Sequence, residues 1–162
     1  MPEVFASLGS NQNREENIRS AVQSLRTIFG TLRLSSVYQN KAVGFDGDDF
    51  LNMVVAFNSD MTPQAIQQQF RQIEDAHGRV RQAKKFAARL LDIDLILYGD
   101  LMCDEPELKL PRIDIIEYAF VLLPLAELEP DGVHPALKTS FAQMWQDYEG
   151  DRELEVVDLA IN

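Results

Sequence analysis

Asp92 and Asp94 stand two residues apart in the apolar run LDIDLILY. Directly before them come five cations and no acid: Arg79, Arg81, Lys84, Lys85 and Arg89. On a strand, a spacing of two puts both carboxylates on one face and Ile93, Leu95 and Leu97 on the other. Two like charges side by side in an apolar strand repel unless something neutralises them. A hard divalent cation does so, since Mg²⁺ takes one or two carboxylates, several waters and phosphate oxygens. The cations could hold a polyphosphate and stabilise charge spreading onto its oxygens during transfer. A lone D-x-D is as readily a solvated strand end, and a basic run alone is as readily a solvated face. Together they read as a polyphosphate and divalent-metal site.

Other residues could complete such a site. Phe50, Asn52 and Phe120 offer an aromatic-and-amide pocket for a planar heterocycle, although Phe50 and Phe120 taken singly are ordinary core residues. Glu74 could orient an arginine or the backbone of the basic loop, or be a plain helical acid. His77 lies on an apolar helical stripe and reads as structural, and His134-Pro135 reads as a turn.

These side chains need elements to hold them. An apolar run over 4–8 ends at Gly9-Ser10-Asn11, as a buried strand leaving through a turn does. Asn13 with Glu16 has capping-box spacing, and Ile18, Val22, Leu25 and Phe29 form a helical stripe closed by Gly30. Strands are expected over 32–38 and 50–57, with an exposed acidic loop over 39–49 between them. Thr62-Pro63 supplies an N-cap and an N1 proline, and Met61 with Ile66 a hydrophobic staple, for a helix carrying Ile66, Phe70, Ile73 and His77 and ended by Gly78. Beyond it are expected a strand over 91–98, a helix over 115–128, a short helix over 140–148 and an edge strand within 153–161. The order strand, helix, strand, strand, helix, strand predicts an α+β fold with a ferredoxin-like, split βαβ core and extra C-terminal elements. In that arrangement the helices cover one sheet face.

Composition bounds the function. A chain of 162 residues suits a single domain spanning 1–162. A net charge of −11 argues against nucleic-acid binding, which depends on Lys and Arg neutralising phosphates. A single cysteine rules out an intrachain disulfide or a cysteine metal cluster. Neither a signal peptide nor a membrane span is evident, so a cytoplasmic protein is expected. A monomer is expected, although nothing in the sequence speaks to oligomeric state.

The run KFAARLLDIDLI resembles the signature of the 6-hydroxymethyl-7,8-dihydropterin pyrophosphokinase family. The resemblance extends to LGSN at 8–11, FLN at 50–52, E-x4-R-x-R from Glu74 to Arg81, and LPLAELEPDGVHP at 123–135. Several motifs in the right order over about 130 residues are far more specific than any one of them.

The resemblance implies transfer of the β,γ-diphosphate of ATP to a pterin hydroxymethyl group in folate biosynthesis, releasing AMP. Asp92 and Asp94 match carboxylates that hold two Mg²⁺ ions. Arg81 and Arg89 match catalytic basic residues around the polyphosphate, and Lys85 stands where arginine is common. Glu74 matches a helical acid on the nucleotide side. Asn52 matches a pterin-binding amide, Phe50 and Phe120 the aromatic pair around the ring, and Val43 with the backbone near Asn40 the loop lining that pocket. Departures cluster on the nucleotide side: Phe86-Ala87-Ala88 replaces Trp-Gly-Pro, Arg112 a phosphate-contacting histidine, and Glu107 and Tyr118 arginines. A second reading is a divergent paralogue that binds a pterin-like ligand with little or no diphosphate transfer.

Overall fold

The computed structural model describes residues 1–40, 49–78 and 91–161. Its elements are β1 (Glu3–Ser10), α1 (Arg14–Phe29), β2 (Arg33–Leu34), β3 (Val37–Asn40), β4 (Phe50–Asn58), α2 (Pro63–Ala76) and β5 (Asp92–Tyr98). They continue through β6 (Cys103–Glu105), β7 (Leu108–Leu110), α3 (Asp114–Glu117), α4 (Ala119–Leu128), α5 (Phe141–Asp147) and β8 (Glu155–Val157).

The main sheet runs β5-β1-β4-β3-β8, with β2 also paired to β4, and every pairing in it is antiparallel. Counting β2 and β3 as one strand, the four core strands lie in the order four-one-three-two, which is the ferredoxin-like arrangement. The single strand expected over 32–38 is divided at Ser35. Its N–H donates to the Val54 carbonyl while its hydroxyl accepts from the Val54 N–H, so a side chain replaces one rung of the ladder.

Alternation along β1 and β4 sorts the core into two clusters. Val4, Ala6, Leu8, Leu51, Met53, Val55 and Phe57 pack with α1 and α2, where Phe29 stacks on Phe57 at 4.1 Å. Phe5, Val54 and Ala56 pack with Ile115, Val121, Leu122, Leu125 and Phe141 of α3, α4 and α5. Helices therefore cover both sheet faces, not one, and the C-terminal elements supply the second layer.

Local signals explain most boundaries. Thr62 Oγ1 accepts the Ala65 N–H at 3.1 Å, ahead of Pro63 at the first helical position. Asn13 precedes α1 as expected, but its φ of 44° turns the side chain away and the expected capping box does not form. The helix expected over 115–128 is split by Tyr118, which is extended at φ −123° and ψ 123°. That break lets Tyr118 stack on Phe120 at 4.9 Å, which two residues on a continuous helix cannot do. The tail pairs with β3 over three residues only, and Leu159 and Ile161 then rest on the first cluster. No helix among the described residues is long and apolar enough to cross a membrane.

Candidate active site

The site is built on the sheet face shared with α3 and α4. Register places Asn52 of β4 opposite Gly9 of β1, and Gly9 opposite Asp92 of β5. One rung further along, Val54, Ser7 and Asp94 align in the same way. An amide and a carboxylate that lie 40 positions apart in sequence thus share one cross-strand row, and the second carboxylate stands beside it. Both aspartates are half-buried at the start of β5, and two carboxylates open to water and phosphate oxygens are a donor set that suits Mg²⁺.

Alternation along β5 holds through Leu95 and then changes. Phe5 pairs with Leu97 and Ala6 with Leu95, so Ile96 is an extra residue. A bulge of this kind re-aims the side chains after it. Leu97 therefore joins Ile96 in the second cluster, while Ile93 and Leu95 belong to the first, contrary to the expectation that 93, 95 and 97 share a face.

β5 is an edge strand, and its outer polar groups are taken up. Glu74 of α2 is buried, and its Oε2 accepts the Ile93 N–H at 2.9 Å. The Arg112 N–H donates to the Ile96 carbonyl at 3.0 Å. A carboxylate receiving a backbone N–H between two aspartates steadies the strand that carries them, which is a positioning role for Glu74.

The Arg112 side chain turns toward the same aspartates. Its Nη2 lies 3.8 Å from Asp94 Oδ1 and its Nε 3.0 Å from Asp114 Oδ2. Burial works against its charge, but Asp94, Asp114 and Asp92 outweigh that and raise its pKa above the usual guanidinium range. Arg112 is a fixed cation beside the carboxylate pair. Arg112, Glu74, Asp94, Glu107 and Arg71 line one cavity of about 250 Å³. Arg71 and Asp114 escaped the sequence reading. The signal for Arg71 was its place three residues before Glu74, on the same face of α2. Asp114 stands only two residues after Arg112, and that spacing was its signal.

Asn40, the last residue of β3, accepts a hydrogen bond from Asn52 Nδ2 through its Oδ1, so Asn52 is held from the side. Phe50 is half-buried two residues earlier, on the Asn52 face of β4. Phe120 packs against the cluster covering that face. Val43, Arg81, Lys85 and Arg89 lie outside the described residues, as do Arg79, Lys84 and Phe86-Ala87-Ala88. Both histidines are structural, as read. His77 links α2 to α1 through Ile73 O and Ser20 Oγ. His134 is buried with its Nδ1 accepting the N–H groups of Ala136 and Leu137, and burial pushes its pKa down.

Residues 5–130 match the 7,8-dihydro-6-hydroxymethylpterin-pyrophosphokinase family. The chain belongs to that family. It is 34% identical over 131 residues to a 2-amino-4-hydroxy-6-hydroxymethyldihydropteridine pyrophosphokinase of Synechocystis, covering 80% of this chain and 67% of that one. It is 33% identical over 137 residues to the Aquifex aeolicus protein of the same name, covering 83% and 85%. Its fold is that of the Plasmodium falciparum HPPK-DHPS crystal structure, with a TM-score of 0.71 at 12% identity over 91% of this chain. The chain spans 44% of that longer Plasmodium protein.

Asp92, Asp94 and Asn52 stand on one sheet face. Glu107 and Arg112 line the same cavity as Asp94. Arg112 is paired with acids there, and Glu107 is exposed with its carbonyl accepting from Gln67.

Proposed function

We propose that the chain transfers the β,γ-diphosphate of ATP to the hydroxymethyl group of 6-hydroxymethyl-7,8-dihydropterin, a step of folate biosynthesis that releases AMP. The hydroxymethyl oxygen attacks the β-phosphorus, and the bond from that phosphorus to the α,β-bridging oxygen breaks. AMP leaves with that oxygen, and the hydroxyl proton passes to solvent. The observation carrying this reading is the shared row of Asn52, Gly9 and Asp92, with Asp94 and Arg112 beside it.

Asp92 and Asp94 would hold Mg²⁺, two ions with ATP, which when bound neutralises and orients the polyphosphate. Arg112 reaches phosphate oxygens from its anchor on Asp114, guanidinium being well shaped for them. Arg81, Arg89 and Lys85 add positive charge where it develops in the transition state. Asn52 binds the pterin edge, Phe50 and Phe120 flank the ring, and Val43 lines the same pocket. Glu74 and Arg112 stand on the nucleotide side. The protein acts in the cytoplasm, as a monomer. A non-transferring paralogue has less support, because the family match spans the chain from 5 to 130 and the aspartate pair is kept.

AMP release from ATP, Mg²⁺ and hydroxymethyl-dihydropterin tests the proposal. Asp92→Ala and Asp94→Ala should each lower the rate by at least about 100-fold, since the polyphosphate loses its counter-ion anchor. Pterin binding with no AMP from the unmodified protein would refute transfer. Equal AMP from a double variant would refute the metal assignment.

A further inference from the structure

We propose that Gly9 is a specificity-determining position for the pterin, acting through the side-chain amide of Asn52. The proposal rests on the pterin-binding role of Asn52. Gly9 sits at the centre of the row, between Asn52 on one neighbouring strand and Asp92 on the other. Its two flanking partners are separated by two strand spacings, roughly 10 Å. A heterocycle held by Asn52 must send its hydroxymethyl arm across Gly9 to reach a polyphosphate held at Asp92. With no side chain at this position, the sheet face between amide and carboxylate is bare.

Backbone freedom does not explain the glycine. Gly9 lies in a regular rung with none of the positive φ seen at Gly30, Gly78 and Gly99. The close approach explains it. A Cβ at Gly9 would stand 3.1 Å from Asn52 Oδ1, tight enough that the amide would have to give way. Asn52 has little room to do so, because its Nδ2 is tied to Asn40 Oδ1 and the residue is buried. The Oδ1 that turns toward Gly9 is therefore the acceptor whose direction the missing side chain protects. The nearest other atom, the Leu51 carbonyl oxygen at 3.9 Å, would meet the Cβ in ordinary contact, so the amide alone bears the crowding.

Gly9→Ala should weaken binding of hydroxymethyl-dihydropterin about ten-fold, the size of one hydrogen bond misdirected at a buried acceptor. Binding is read by calorimetry without turnover, alongside MgATP binding, which should be unchanged. The decisive measurement is the double-variant cycle with Asn52→Ala, also read as pterin affinity. If Gly9 acts through the amide, Gly9→Ala changes nothing further once Asn52 is alanine. Full additivity, or undiminished pterin affinity in Gly9→Ala, overturns the inference while leaving the function standing. Equal weakening toward MgATP points to a general disturbance of the sheet and overturns it too. Failure of the unmodified protein to bind the pterin refutes the functional reading itself.

Discussion

At the scale of single residues, the sequence showed chemistry more readily than support. Asp92 and Asp94 were legible because period-two alternation makes two acids in an apolar strand conspicuous. Glu74 was legible as a candidate but its partner was not, since an acid on a helix is usually solvated; its burial against the Ile93 N–H becomes visible only once α2 lies along β5. Removing that acceptor has a predictable cost. Glu74→Ala leaves a buried N–H unpaired and should destabilise the protein by about 1–3 kcal/mol in urea unfolding. Glu74→Gln, which keeps an acceptor oxygen, should lose less than half of that. Equal losses for the two variants would show that charge, not acceptance, matters at this position.

At the scale of elements, α4 is tied to β3 and the turn before it through the carboxylate of Glu127. Glu127 of α4 accepts the Ser36 N–H at 2.9 Å, the Ser36 hydroxyl at 3.0 Å and the Tyr38 hydroxyl at 2.6 Å. Burial and the Glu127 carboxylate together push the Tyr38 phenol well above its ordinary pKa, so it stays a donor through the alkaline range. Tyr38 faces Asn52 in the ladder, and β3 ends at Asn40. The helix bearing Phe120 is thereby fixed to β3. Tyr38→Phe should cost about 1 kcal/mol and Glu127→Ala about 2–3 kcal/mol. The double variant should be clearly less damaged than the sum, as shared partners require; strict additivity in denaturant melts would refute the strut.

At the scale of the whole molecule, the described tail lies beyond the family match and closes the sheet edge opposite β5. β8 covers β3, Arg19 holds the Ala160 carbonyl at 2.9 Å, and Leu159 and Ile161 cover the first core. Ending the chain after Gly150 should lower stability by about 2 kcal/mol, from three half-buried apolar side chains, Val157, Leu159 and Ile161, and an opened edge. MgATP affinity should be unchanged, since β8 and β5 stand about 19 Å apart across four strand spacings. A matching loss of nucleotide affinity would mean that the edges are coupled.

Along the chain, alternation, helical stripes and turn residues were enough for the order of the core elements, though not for the β6–β7 hairpin, and that order implies the four-one-three-two sheet. These are local signals, set by neighbours two to four positions apart. Whatever depended on the meeting of distant segments waited for the tertiary structure. Ser35 entering the ladder, the bulge at Ile96 and the second helical layer all answer to packing partners far away in sequence. So do the pairing of Arg112 with Asp94 and the bare place at Gly9 between amide and carboxylate. Residue type proposes a chemistry from nearest neighbours, but a site is a set of distances, and only the folded sheet brings those residues within reach of one another.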